Sequence, residues 1–179
     1  LDVLLANPKV DPKRVAAIGY CFGGGTALEL ARAGAPLAGV VSFHGNLDTP
    51  NPADAKAIKA KILVCHGADD PYVPAEQVSA FQAEMKNAGV DYQFIAYSGA
   101  VHAFTQKEAG NDNSKGAAYN EAADRRSWQA MRDFLAAERE PGPAVSSDAE
   151  WLAHCRERTS TIFHPSCTCR MGTDATAVV

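Results

Sequence analysis

Apolar residues along the chain fall into short uninterrupted runs separated by amphipathic stretches. Lys13 to Gly19 predicts a short buried strand, and Thr26 to Gly34 predicts a helix closed by a glycine. The segment between them, Tyr20-Cys21-Phe22-Gly23-Gly24-Gly25, is read as their connection. Two further runs, Leu37 to Phe43 and Lys61 to Gly67, are uniformly apolar and lead into His44-Gly45 and His66-Gly67. Short, uniformly apolar runs of this kind are expected of strands covered on both faces of a parallel sheet. Pro50, Pro52 and the Ala/Lys stretch 53–60 between them predict a connection with one or two helical turns. Pro74 opens the next helix, Val78, Phe81 and Met85 share one face of it, and Gly89 stops it. Tyr92 to Tyr97 alternates as a fourth strand. A polar loop over 98–116 precedes a helix from about Ala117 to Glu138, with Trp128, Met131 and Leu135 on one face. Strand and helix alternate, so the predicted fold is α/β, a doubly wound and mostly parallel sheet. Ligands of such sheets sit beyond the carboxyl ends of the strands.

Composition narrows the classes. The 179 residues are 46% hydrophobic, 21% charged and 8% aromatic, which suits a chain with a real core. A formal charge of -4 argues against a surface that collects phosphates, and a nucleic-acid partner is not expected. No apolar run reaches the ~20 residues that cross a bilayer, and Leu1 to Leu5 lacks the basic flank of a signal peptide, so no membrane partner is expected either. The five cysteines, at 21, 65, 155, 167 and 169, are odd in number and irregular in spacing, which points to a reducing compartment and a cytoplasmic location rather than a disulfide scaffold. Glu140 to Ser147 holds Pro141-Gly142-Pro143 and breaks the composition, and Ser147-x-x-Glu150 supplies a capping box for a new helix. The expected organisation is therefore a domain over 1–139, a linker over 140–147 and a tail over 148–179.

Gly19-Tyr20-Cys21-Phe22-Gly23 has the G-x-nucleophile-x-G form of a strand-to-helix elbow, with cysteine as the nucleophile. The flanking glycines are read as positions where neighbouring backbone leaves no room for a Cβ. A helix N-terminus and a partner imidazole both stabilise a thiolate at such a place, and the Phe22 amide would serve as an oxyanion donor. The imidazole is offered by His102, in Ser98-Gly99-Ala100-Val101-His102-Ala103-Phe104, and the orienting carboxylate by Asp69 or Asp70 in the loop after the third strand.

The three segments GYCFGGG, HGADDPYVP and YSGAVHAF, in that order, resemble the active-site segments of the dienelactone hydrolase family, an α/β-hydrolase family, and the resemblance covers residues 1–139. It implies Cys21 as nucleophile, His102 as general base and acid, and Asp70, which stands before Pro71-Tyr72-Val73-Pro74, as the orienting acid. It further implies hydrolysis of a small-molecule ester or lactone through a thioester acyl-enzyme, without a cofactor. Two departures accompany it. The family has several strands before the elbow, so the chain is expected to be truncated on its N-terminal side, to lack the loop with the second oxyanion donor, and to self-associate through the sheet edge so exposed. Thr105-Gln106-Lys107 stands where founding members carry an arginine that holds a substrate carboxylate, which leaves Lys107 as its substitute or a substrate other than a dienelactone.

Other features have plainer readings. His44 and His66 end strands near the presumed site and are expected to support or pack beside it, and Cys65 to lie in the core. Gly19 to Gly25 does not match the G-x-G-x-x-G spacing of a dinucleotide site. The tail, with Thr-Ile-Phe-His-Pro and Thr-Cys-Arg-Met-Gly, resembles the C-terminal segment of glucose-methanol-choline oxidoreductases. In that family the matching histidine, here His164, serves beside a flavin, although Cys167 stands where a glycine is usual. The tail residues His154, Cys155, His164, Cys167 and Cys169 lack the paired spacing of a zinc site, so no metal is expected. The competing functional readings are a non-catalytic remnant or fusion fragment and, more weakly, part of a flavin-dependent alcohol oxidoreductase.

Overall fold

The computed structural model describes residues 1–138. The expected linker over 140–147 and the tail, with His164 and the candidate zinc residues, lie outside the described residues.

Four strands, β1 (Ala16–Tyr20), β2 (Gly39–Phe43), β3 (Lys61–Gly67) and β4 (Tyr92–Tyr97), form one parallel sheet in the order β1-β2-β3-β4. The helices are α1 (Asp2–Leu5), α2 (Phe22–Arg32), α3 (Ala75–Ala88) and α4 (Glu121–Glu138), with a 3-10 helix at Pro52–Ala57 between β2 and β3. Alternation along each strand divides the core in two. Val40, Ile62 and Val64 face α2, the 3-10 helix and α3 through Ala27, Leu28, Ala31, Ala55, Phe81 and Met85. Val41, Phe43, Leu63 and Cys65 face the other way, where Ala123 and Met131 of α4 cover them together with Trp128 and Leu135. Apart from exposed Lys61, both faces of β2 and β3 are therefore dry, the physical reason that their sequences are mostly apolar, with Ser42 and His66 as buried polar residues. Each such Val, Leu or Ile contributes ~1.5–3 kcal/mol by leaving water.

The structure departs from the predicted boundaries in instructive ways. β1 begins at Ala16 rather than Lys13, because Asp11 to Arg14 form a turn in which Arg14 N–H donates to the Asp11 carbonyl. α2 begins at Phe22 and takes the glycine triplet into its first turn. α4 begins at Glu121 rather than near Ala117, because Ala117 bridges to His102 and Asn120 caps the helix through its side chain to Ala123 N–H. The 98–116 loop carries two short 3-10 turns, at Lys107–Ala109 and Asn113–Lys115.

One buried ion network ties α2, α3 and the segment after β2. Arg32, 2% exposed, donates from Nε and Nη2 to the two carboxylate oxygens of Glu84, both at 2.8 Å, from Nη1 to Glu29 at 2.7 Å, and from Nη2 to the Leu47 carbonyl at 3.1 Å. The paired fork satisfies a guanidinium that could not otherwise be buried. β1 ends the sheet on one side, with Ile18 46% exposed. Among the described residues, no helix is long and apolar enough to cross a membrane.

Candidate active site

The junction of β1 and α2 turns through Cys21, whose φ of 52° and ψ of -122° lie outside the conformations that a side chain ordinarily adopts. Cys21 N–H donates to the Phe43 carbonyl of the neighbouring strand, and the Cys21 carbonyl accepts from Gly24 and Gly25 N–H. These bonds pin the strained residue at both ends, and its side chain stays exposed. A Cβ on Gly19 would run into the Gly23 carbonyl, and one on Gly24 would stand 2.5 Å from Ser42 Oγ. Gly23 itself faces open space, so the crowding expected at both flanking glycines holds at Gly19 and Gly24 instead. The Phe22 amide is among the first N–H groups of α2, which have no partner inside a helix. Its ring is 82% exposed.

The imidazole of His102 comes from the loop after β4. His102 is clamped through its backbone, its N–H donating to the Gly116 carbonyl and its carbonyl accepting from Ala118 N–H. Asp70, in the loop after β3, has a fully buried side chain, whereas Asp69 is exposed. Asp70 Oδ1 accepts from Tyr72 N–H at 2.9 Å, and Oδ2 lies 2.9 Å from His102 Nδ1. A carboxylate only accepts, so Nδ1 carries the proton. His102 Nε2 lies 3.1 Å from Cys21 Sγ. Three loops at the carboxyl ends of β1, β3 and β4 thus bring Cys21, Asp70 and His102 into one hydrogen-bonded line.

The electrostatics follow from these contacts. The Asp70 hydrogen bond, outweighing burial and aided by Cys21, raises His102 to about 9. Burial pushes Asp70 upward, but the bonds from His102 and Tyr72 N–H outweigh it and hold the carboxyl below its ordinary range. Burial, with the neighbouring His102 charge, lowers His44 to about 4. Burial also pushes the Cys65 thiol up to about 12; this cysteine is fully buried and receives a bond from Tyr97 OH.

The surrounding residues differ in how far their sequence showed them. His66 packs against Phe94, with burial lowering its pKa. His44 stands with its ring 5.2 Å from that of His102, and Tyr72 contributes an edge contact to His102 at 5.3 Å. Tyr72 escaped the sequence reading, although an aspartate that accepts from the amide two residues on is a recognisable turn device. Lys107, one of the two alternatives offered for the family's arginine, holds its ammonium 6.0 Å over the Tyr119 ring. A shallow groove of about 620 Å³, lined by Asn111, Asn113, Tyr119, Asn120, Glu121, Ala122 and Arg125, includes none of the three aligned residues. Among the described residues, no group of three His, Cys, Asp or Glu side chains could hold a metal.

Comparison with known proteins gives this geometry a context. Residues 1–139 match the profile of the dienelactone hydrolase family. An uncharacterized protein of Caenorhabditis elegans is 34% identical over 137 residues, which are 75% of this chain and 87% of that one. The solved structure of a dienelactone hydrolase-like promiscuous phosphotriesterase from metagenomic libraries is 48% identical, with a TM-score of 0.71 over 76% of this chain and 57% of that one. This chain therefore spans little more than half of that enzyme. An alcohol dehydrogenase [acceptor] of Pseudomonas putida is 59% identical over 39 residues, which are 22% of this chain and 7% of the dehydrogenase.

Proposed function

The chain belongs to the dienelactone hydrolase family, and from that membership we propose that it hydrolyses carboxylic ester or lactone bonds of small molecules with Cys21, His102 and Asp70. The observation that carries the reading is the unbroken line from Sγ through the imidazole to the carboxylate, at 3.1 and 2.9 Å. His102, raised to about 9, already holds on Nε2 the proton given up by Cys21, and the sulfur attacks the acyl carbon. Charge collects on the former carbonyl oxygen, where the Phe22 N–H at the head of α2 donates to it. The tetrahedral adduct collapses as His102 returns the proton to the departing alkoxide, leaving a thioester on Cys21 and a free alcohol. His102 then takes a proton from water, the resulting hydroxide attacks the thioester, and the acid leaves as Sγ is freed, with His102 again protonated. Asp70 keeps Nδ1 protonated throughout, so that Nε2 always faces the sulfur.

Turnover of 4-nitrophenyl acetate by the full chain tests this. C21A is expected to fall to the background rate while keeping its melting temperature, and turnover equal to wild type would overturn the assignment. Likeness to the metagenomic phosphotriesterase supports a side activity on a neutral phosphotriester at the same sulfur. That activity should vanish in C21A together with the esterase.

The organisation read from the sequence completes the proposal: a hydrolase domain over 1–139, a linker, and a tail segment akin to part of an alcohol oxidoreductase. The tail's likeness covers 7% of the dehydrogenase it matches, which supports kinship of that segment and does not extend the function to flavin chemistry.

A further inference from the structure

We propose that His44 is a positioning residue for the His102 base and that it acts through Thr105; the role rests on the triad reading above. His44 directly follows β2, and the carbonyl of its neighbour Phe43 accepts the Cys21 N–H, so it is tied by backbone to the elbow. Its own N–H donates to the Cys65 carbonyl at 2.8 Å. The side chain is fully buried, and the backbone sits at a φ of 38°, in the left-handed region that few non-glycine residues occupy. Such a conformation persists where surrounding bonds over-determine it.

Those bonds lead to the base. His44 Nε2 lies 2.8 Å from Thr105 Oγ1, three residues after His102. Between the two lie Ala103, at a φ of 57°, and Phe104, fully buried with its carbonyl accepting from Asn120 N–H. The His44 ring meets the rings of His102 at 5.2 Å and Phe104 at 5.1 Å, while Tyr72 meets His102 at 5.3 Å. His44 Nδ1 is buried without a hydrogen-bond partner. A bare lone pair there costs less than an orphaned N–H, so Nε2 carries the proton and donates to Thr105. Packing alone would be served by an apolar ring. A hydrogen-bonded histidine in a strained backbone instead fixes the segment after His102, and with it the distance from Nε2 to Sγ. Burial keeps the ring neutral, so it adds no charge beside the imidazolium.

The test uses full-chain T105V, T105S, H44Q and H44F, with kcat and KM for 4-nitrophenyl acetate, the rate of Cys21 alkylation by iodoacetamide, and the melting temperature. T105V and H44F are expected to lose about tenfold or more in kcat, as misplacement of a reacting group does, with KM little changed and slower alkylation. T105S keeps the hydroxyl, H44Q brings an amide donor to the same place, and both should stay near wild type. T105V probes the bond from its other end should H44F fail to fold. T105V with wild-type kcat and alkylation rate, or equal losses in T105V and T105S, would overturn the role of His44. A wild-type chain whose turnover matches C21A would overturn the triad reading instead, and the alkylation rates still decide the positioning.

Discussion

His102 holds the charge balance of the site. An imidazole with an ordinary value of 6.5, raised to about 9 chiefly by its bond to Asp70, binds its proton more tightly in the folded chain than in the unfolded one. Its contribution to stability is complete below pH 6.5 and is lost as pH rises through about 9. The melting temperature is therefore expected to fall between pH 6.5 and pH 9, and H102Q should flatten that fall; an unchanged slope in the variant would contradict the coupling. Asp70 acts in the opposite sense, since its pKa is lowered: its contribution is present above the ordinary 3.8 and is lost as pH falls through its folded value. Strain is local too. Cys21 at a φ of 52° is held by three backbone bonds, one to β2 and two into the first turn of α2, so the pose of its thiol depends on backbone that no side-chain substitution at 21 removes.

Among the elements, α2 is the one on which most depends. Its N-terminal end carries the Cys21 cap and the Phe22 amide, and its last turn holds Arg32, which reaches Glu84 on α3 and the Leu47 carbonyl. R32M would leave the Glu84 carboxylate, 8% exposed, without its partner, a loss of about 3–5 kcal/mol. Replacing both residues by apolar ones of similar size removes the stranded charge and is expected to recover most of that stability. Urea unfolding of R32M, E84L and the double variant checks this, and a double variant no better than R32M would show that the network does more than neutralise itself. α4 shows the reverse dependence, of an element on the site. Its start is delayed to Glu121 because Ala117 and Ala118 are engaged with His102, so the polypeptide that could have extended the helix instead clamps His102.

At the scale of the whole molecule, β1 is an edge strand of the sheet among the described residues, with Ile18 exposed on it. Pairing of this edge with a second copy is expected to give a concentration-dependent elution volume, and I18K should abolish it. A volume independent of concentration in the wild type would count against self-association. The compact unit Leu1–Glu140 predicts that proteolysis within 140–147 leaves the melting temperature of the hydrolase domain unchanged, and a lower melting temperature after cleavage would argue against that boundary.

The strand-to-helix turn at Cys21 and the alternation of strand and helix were legible from local sequence, because a turn such as Gly19 to Gly24 is built by neighbours in the chain. The apolar runs of β2 and β3 announced two covered faces for the same reason, since every residue of a doubly buried strand meets the same demand. Other features required the tertiary structure. Residue types alone left Asp69 and Asp70 open and the family resemblance chose Asp70; the structure adds that Asp70 is buried and bonded to His102 while Asp69 is exposed. The glycine triplet read as a connection became the first turn of α2 because the helix packs against Gly19 and Ser42. The pairing of His44 with Thr105, 61 residues apart, and the clamp of Gly116 and Ala118 on His102 are brought together only when β2 and β4 take their places in one sheet. Bonds within a turn follow from the order of residues, whereas bonds between loops exist only after the core has set how far apart those loops stand.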